Sequence, residues 1–204
     1  MHSMHRTGAW LILLLIAQVG LPGCANQPRY VDAPATLPTT LPEASGLGEP
    51  AFLDAVSATV VPPVGWRAEP LKSSSRHSHQ TWVSPSGTTA YGVIHFSLPF
   101  PVGYEPVLWY FMREMRRVEG EGVLLSKQWD PNLRAVRFVA EGRRYTVRPN
   151  LMLRGFQGWA VYAGTLNENP VNARELDLAE RARERTITGR VAAAPVAEGD
   201  HPGR

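Results

Sequence analysis

Pro106-Val107-Leu108-Trp109-Tyr110-Phe111-Met112-Arg113-Glu114-Met115-Arg116-Arg117-Val118 is the stretch whose reading decides the fold. Val107, Leu108, Phe111, Met112, Met115 and Val118 recur at i, i+1, i+4, i+5, i+8 and i+11, one apolar stripe at helical spacing. Arg113, Glu114, Arg116 and Arg117 fall on the other side. Pro106 suits a first turn, where a missing N–H costs nothing. Glu105 lies near the positive end of the helix dipole and Arg116-Arg117 near the negative end. Gly120 supplies a stop. The stripe is core spacing, and it needs a sheet to pack on.

The flanks provide that sheet. Upstream, Val56 to Val61 is a short β-prone run stopped by Pro62-Pro63, with Gly65-Trp66 behind it. Ser73-Ser74-Ser75 marks a loop, Gln80 to Ser84 a strand, and Pro85-Ser86-Gly87 a turn. Along Thr89 to Leu98, Ala90, Gly92, Ile94, Phe96 and Leu98 share one face, and Tyr91, Val93, His95 and Ser97 the other. Both faces are apolar, so this strand is expected to be central and covered on both sides.

Downstream, Val123 to Trp129 reads as a strand with Asp130-Pro131-Asn132 as its turn. In Arg134 to Ala140, the residues Val136, Phe138 and Ala140 point inward. Tyr145, Val147, Leu151 and Leu153 continue that face, and Pro149 suggests a bulge or an edge. Trp159 to Leu166 is the last long strand. Asn169 is the expected cap of a closing helix with Pro170 at its first position. Leu176, Leu178, Ala179, Ala182 and Ile187 give that helix an apolar side, Asp177 and Arg181 form an i,i+4 pair, and Gly189 ends it. The expected fold class is α+β: an antiparallel β-sheet flanked by helices, an α/β/α sandwich.

Pro63-Val64-Gly65-Trp66, the strand ending at Leu98-Pro99, the helix after it, and the closing Glu175-Leu176-Asp177-Leu178-Ala179 form a pattern. In this pattern the region from Val56 to Thr188 resembles the family that joins the PsbP extrinsic photosystem proteins with the Mog1-type small-GTPase-binding proteins. The resemblance implies a sheet sandwiched by helices and a non-catalytic accessory or binding role. It carries over no functional residue.

The N-terminal run Ala9 to Ala17 is apolar, follows the lone basic Arg6, and is too short to span a bilayer, which takes about 20 apolar residues. Its length suits the apolar core of a secretory signal. Leu21-Pro22-Gly23-Cys24 comes next and holds the chain's single cysteine. Leu21 three before Cys24 and Gly23 one before it are similar to a bacterial lipobox, with Pro22 an uncommon middle residue. That resemblance implies cleavage before Cys24, a diacylglyceryl thioether on its sulfur, and acylation (palmitate) of the new amino group. Two or more chains hold a protein stably on a membrane. Ala25-Asn26 does not fit the aspartate that retains such lipoproteins at the inner membrane, which favours the outer membrane in a cell that has two membranes.

The expected organisation is therefore a signal peptide at 1–23, a lipidated cysteine and Pro-rich tether at 24–51, a single domain at 52–189, and a disordered tail at 190–204. The tether carries Pro28, Pro34, Pro38, Pro42 and Pro50 and shows no strand or helix period. It reads as an extended spacer between the cell envelope and the domain.

With 204 residues and a formal charge of +3, the chain has a small basic excess and no basic patch, so nucleic acid is not an expected partner. One cysteine cannot form an internal disulfide, and its acylation would exclude thiol catalysis. The sequence has no HExxH, CxxC, phosphate-cradling glycine loop or Gly-x-Ser-x-Gly, and no cofactor is named. His77-Ser78-His79 on an extended segment points two imidazoles to one side, and His95 lies on a nearby strand. Three histidines are a possible metal set, the basis of an alternative reading as an extracytoplasmic metal-assisted hydrolase. The serines at 73–75 have no adjacent base visible in sequence. Trp109 and Tyr110 sit off the helical stripe, and exposed aromatics are enriched at interfaces. They are the expected contact residues for an envelope protein partner. The first reading is thus a membrane-anchored envelope lipoprotein acting as a non-catalytic binding or accessory module.

Overall fold

The structure, a computed structural model, describes residues 46–167 and 170–189. The expectations for the signal segment, Cys24, most of the tether, Asn169 and the tail fall outside the described residues.

The N-terminal part forms β1 (Ala51–Leu53), a 3-10 turn at Asp54–Val56, β2 (Ala58–Val60), β3 (Arg67–Ala68), β4 (Lys72–Ser73), β5 (His77–Val83) and β6 (Thr89–Ser97). Helix α1 (Tyr104–Glu119) follows, then β7 (Val123–Asp130), β8 (Ala135–Glu141), β9 (Tyr145–Arg154) and β10 (Gln157–Leu166). Helix α2 (Ala173–Arg185) and β11 (Ile187–Thr188) close the chain. An eight-stranded sheet has the order β3-β5-β6-β10-β9-β8-β7, with β4 also pairing β5. A second sheet has the order β1-β2-β11. All the named pairs are antiparallel, so the fold is sheet-dominant α+β.

Two cores lie on opposite faces of the large sheet. Ile94, Phe96, Val136, Phe138, Ala140, Tyr145, Val147, Leu151 and Leu153 pack with Val107, Leu108, Phe111, Met112 and Met115 of α1. Tyr91, Val93, Trp159, Val161 and Ala163 pack with Val56, Ala58 and Val60 and with Ala179 and Ala182 of α2. The second face is thus covered by a small sheet as well as a helix. The small Ala179 and Ala182, both fully buried, let α2 approach closely. As the two-faced apolar pattern of Thr89 to Leu98 requires, β6 is central, between β5 and β10.

Gly120 caps α1 in the left-handed conformation, φ 80°. Gly92 is needed for a different reason. A Cβ there would lie 2.5 Å from the Tyr162 ring, whose side chain crosses this point of the sheet.

Several expectations are corrected. The cap of α2 is Asn172, whose side chain accepts from the Glu175 N–H. That helix stops at Arg185 rather than at Gly189. Thr186 is extended, its hydroxyl binds the Ala182 carbonyl and the Tyr91 hydroxyl, and Ile187–Thr188 joins β2 as a strand. Pro149 makes neither an edge nor a bulge. It lies in the interior of β9, and its missing N–H leaves a gap in the β8–β9 ladder between the Arg137–Asn150 and Ala140–Val147 pairs without a change of register. Finally, β5 begins at His77 rather than at Gln80, so the extended histidine segment is part of that strand.

Candidate functional site

The sheet's two edges differ. One ends in β3 and β4, strands of two residues each, which leave little open ladder. The other is β7, eight residues long and exposed over almost its whole length. A bulge at Leu125 interrupts its pairing with β8. Leu124, Lys127 and Trp129 pair with Ala140, Phe138 and Val136, so they stand on the α1 face of the sheet. Val123, Leu125 and Trp129 are 57%, 54% and 43% exposed, and Trp109 of α1 is 56% exposed.

Helix α1 runs beside this edge. Tyr104 packs edge-on against Trp129 at 5.4 Å, and its hydroxyl donates to the Arg134 carbonyl at 2.7 Å. The Lys127 ammonium meets the Glu105 carboxylate at 2.6 Å. At the far end the Arg116 guanidinium donates to the Gly122 carbonyl at 3.2 Å. The Arg113 guanidinium lies over the Trp109 ring, 5.6 Å from its centroid. The base of the helix is held by Glu119, whose buried carboxylate accepts from the Arg144 backbone N–H at 2.7 Å and from its guanidinium at 2.7 Å.

Of the two aromatics expected at a contact surface, Trp109 is exposed and Tyr110 is not. Tyr110 is 4% exposed, and burial raises its hydroxyl pKa. Glu114, assigned to the solvent side, is also buried and pairs with Arg117 at 2.8 Å. The sequence reading missed the contribution of β7. Its signal was present in Val123, Leu124, Leu125 and Trp129, which put apolar groups on both faces of a strand that has a neighbour on one side only.

The three histidines do not converge. Directly opposed residues in a ladder share a face, and His95 opposes Ser78, so it faces away from His77 and His79. Among the described residues no cluster of metal-ligating side chains forms. His79 is buried on the α1 face. Its Nε2 lies 2.6 Å from the Thr81 hydroxyl and 2.9 Å from the Tyr162 hydroxyl, which are themselves 2.9 Å apart. Burial, and then the charges of Lys72 and His77, push the His79 pKa down to about 4, so the imidazole is neutral at pH 7. Burial also raises the Tyr162 pKa. Together these groups form a closed polar bridge between β5 and β10. His95 stacks on Trp159 at 5.0 Å on the opposite face, and burial lowers its pKa.

A base invisible in sequence does stand beside one serine: the Ser74 hydroxyl is 2.8 Å from His77 Nδ1. The same oxygen accepts from the Arg76 and His77 backbone N–H groups, and the Ser74 N–H donates to the His77 carbonyl. This pattern closes the tight turn between β4 and β5. The His77 ring is an acceptor or donor within that turn, and no acid orients it among the described residues.

No protein-family model matches the chain, and no curated protein sequence does. Among solved structures, it is similar to the solution structure of cyanobacterial PsbP (CyanoP) from Synechocystis sp. PCC 6803. That match has a TM-score of 0.51 at 9% identity, covering 74% of this chain and 98% of that one. A crystal structure from Bacteroides thetaiotaomicron matches with a TM-score of 0.39 at 11% identity, covering 72% of this chain and 50% of that one. The described domain therefore has a PsbP-like fold. No helix among the described residues is long and apolar enough to cross a membrane.

Proposed function

We propose that this chain is an envelope lipoprotein, anchored through acyl chains on Cys24, whose PsbP-like domain is a non-catalytic binding or accessory module. The observation that carries the binding part is the α1–β7 face, where Trp109, Leu124 and Trp129 are all exposed beside an open sheet edge. Apolar side chains grouped in this way are the usual mark of a contact surface. The separation of His95 from His77 and His79 leaves the metal-assisted hydrolase without its ligand set.

Support for the anchor comes from the sequence alone: the apolar run, Leu21, Gly23 and Cys24. Mass analysis of the natural product tests it. Loss of residues 1–23 together with the mass of a diacylglyceryl group and an acyl chain is the expected result. Retention of residues 1–23, or a free thiol at Cys24, overturns it. Crosslinking in intact cells tests the accessory role: adducts between the domain and a defined envelope protein are expected, and their absence from every exposed position overturns it.

A further inference from the structure

We propose that β7 is a docking strand that takes an extended acidic segment of a partner protein as a ninth strand of the large sheet. The inference rests on the binding-module reading and specifies its site and ligand chemistry.

The backbone argument comes first. An edge strand presents a row of unpaired N–H and C=O groups, and folded proteins blunt such edges with short strands, bulges or lysines. Here one edge is blunted by the two-residue β3 and β4. The β7 edge keeps eight residues, of which Ser126 to Asp130 are regularly paired beyond the bulge at Leu125, and the lysine that would guard it, Lys127, is turned onto Glu105 at 2.6 Å. Strand addition uses such an edge for affinity and adjacent pockets for specificity.

Side chains define the partner. Glu105, Trp109, Arg113 and Arg116 follow at i, i+4, i+8 and i+11, so they share one side of α1. The Glu105–Lys127 and Arg116–Gly122 contacts show that this side flanks β7. Trp109 therefore overhangs the groove between helix and edge, on the same face as Leu124 and Trp129. Arg113 and Arg116 form no ion pair among the described residues, so the groove is lined by an indole and by two guanidinium groups whose only partners there are the Trp109 ring and the Gly122 carbonyl. An extended segment matches it when the residues facing α1, every second one, are apolar toward one end and acidic toward the other: apolar groups against Trp109 and Leu124, carboxylates against Arg113 and Arg116.

Other occupants fit less well. In a second copy paired through β7, the two-fold axis would stand perpendicular to the sheet. Both α1 helices would then lie on one face, which gathers the Arg113 and Arg116 guanidinium groups of both copies beside the joint while Glu105 is already paired with Lys127, and an excess of like charge along a joint is unfavourable. The chain's own segment 24–45 contains Pro28, Pro34, Pro38 and Pro42, which cannot donate to a ladder, and it joins the domain at Gly46 beside Leu178 of α2.

The test uses the purified full-length chain and a fluorescent octapeptide with valine, phenylalanine, glutamate and glutamate at its odd positions and threonine at its even positions, so that one face carries both the apolar and the acidic groups. The expected result is saturable binding that slows hydrogen exchange at the β7 amides. The same peptide with lysine for glutamate should bind at least tenfold more weakly, and the peptide N-methylated at alternate residues should not bind. Trp109→Ala should weaken binding about tenfold, the Arg113→Glu/Arg116→Glu pair should reverse the charge preference, and Phe156→Ala, at an exposed hairpin tip, should change nothing.

Binding that leaves β7 exchange unchanged, or that ignores N-methylation, overturns the proposal. So does a concentration-dependent dimer that protects β7 without peptide, or β7 protection that disappears on deletion of residues 25–45. Anionic vesicles bound through Trp109 while the peptides are not bound also overturn it. A photocrosslinker placed at position 156 that captures the envelope partner in cells, while one at position 126 does not, sinks the edge proposal and leaves the accessory role standing.

Discussion

Lowering the pH from 7 to 5 should cost the domain about 2 kcal/mol through His79 alone. The group has an ordinary value of 6.5 in the unfolded chain and is pushed down to about 4 in the fold, chiefly by burial. Above pH 6.5 the imidazole is neutral in both states and the titration costs nothing. As the pH falls below 6.5, the unfolded chain takes up a proton that the folded chain refuses, and stability drops until the folded group also titrates near pH 4. Integrating the proton difference over this window gives a loss of about 2 kcal/mol at pH 5 and about 3 kcal/mol at pH 4. The figure suits a side chain that is 3% exposed and bonded to Thr81 and Tyr162. The assay is urea unfolding at a series of pH values, for the natural chain and for His79→Gln. Glutamine can keep a hydrogen bond to Tyr162 but does not titrate. His77, His95 and the carboxylates contribute equally to both chains and cancel in the difference. The natural chain should lose about 2 kcal/mol more than His79→Gln between pH 7 and 5. Parallel curves for the two chains would refute the closed polar bridge between β5 and β10.

Three further outcomes follow from the packing. Gly92→Ala places a Cβ 2.5 Å from the Tyr162 ring and should cost about 1–3 kcal/mol in denaturant unfolding, because the fully buried ring has no free space to move into. Glu119→Gln weakens the charged clamp on Arg144 and should cost about 1–3 kcal/mol by the same measurement, with faster hydrogen exchange at the Arg144 amide. Phe111→Ala removes a buried ring that packs edge-on against Phe138 at 5.1 Å and should cost about 3–5 kcal/mol, whereas Trp109→Ala should leave the unfolding midpoint nearly unchanged. A large loss for Trp109→Ala would mean that the indole serves the fold and not a contact surface.

The elements legible in the sequence were those set by local periodicity. The stripe from Val107 to Met115 is buried as its spacing required, because residues three and four apart on a helix share a face whatever lies opposite. Val136, Phe138, Ala140, Tyr145, Val147, Leu151 and Leu153 all reached one core, because a strand alternates with period two. Tyr110 and Glu114 were misplaced because their burial depends on what covers the flank of the helix, which its own period does not encode. His77 and His79 share a side by strand alternation, and His95 lies on the neighbouring strand. Their faces depend on the register between β5 and β6, and the opposition of His95 to Ser78 divides them.

The sequence alone determined the alternation of strands and helices, the apolar positions of each, and the chemistry around Cys24 that predicts an anchor. Only the tertiary structure decided which strand became an edge. Val123 to Asp130 has the composition of a strand covered on both faces, and nothing in its own residues says that it has one neighbour instead of two. Strand order is a property of long-range pairing. It turns Val123, Leu125 and Trp129 from apparent core into the exposed edge of the sheet.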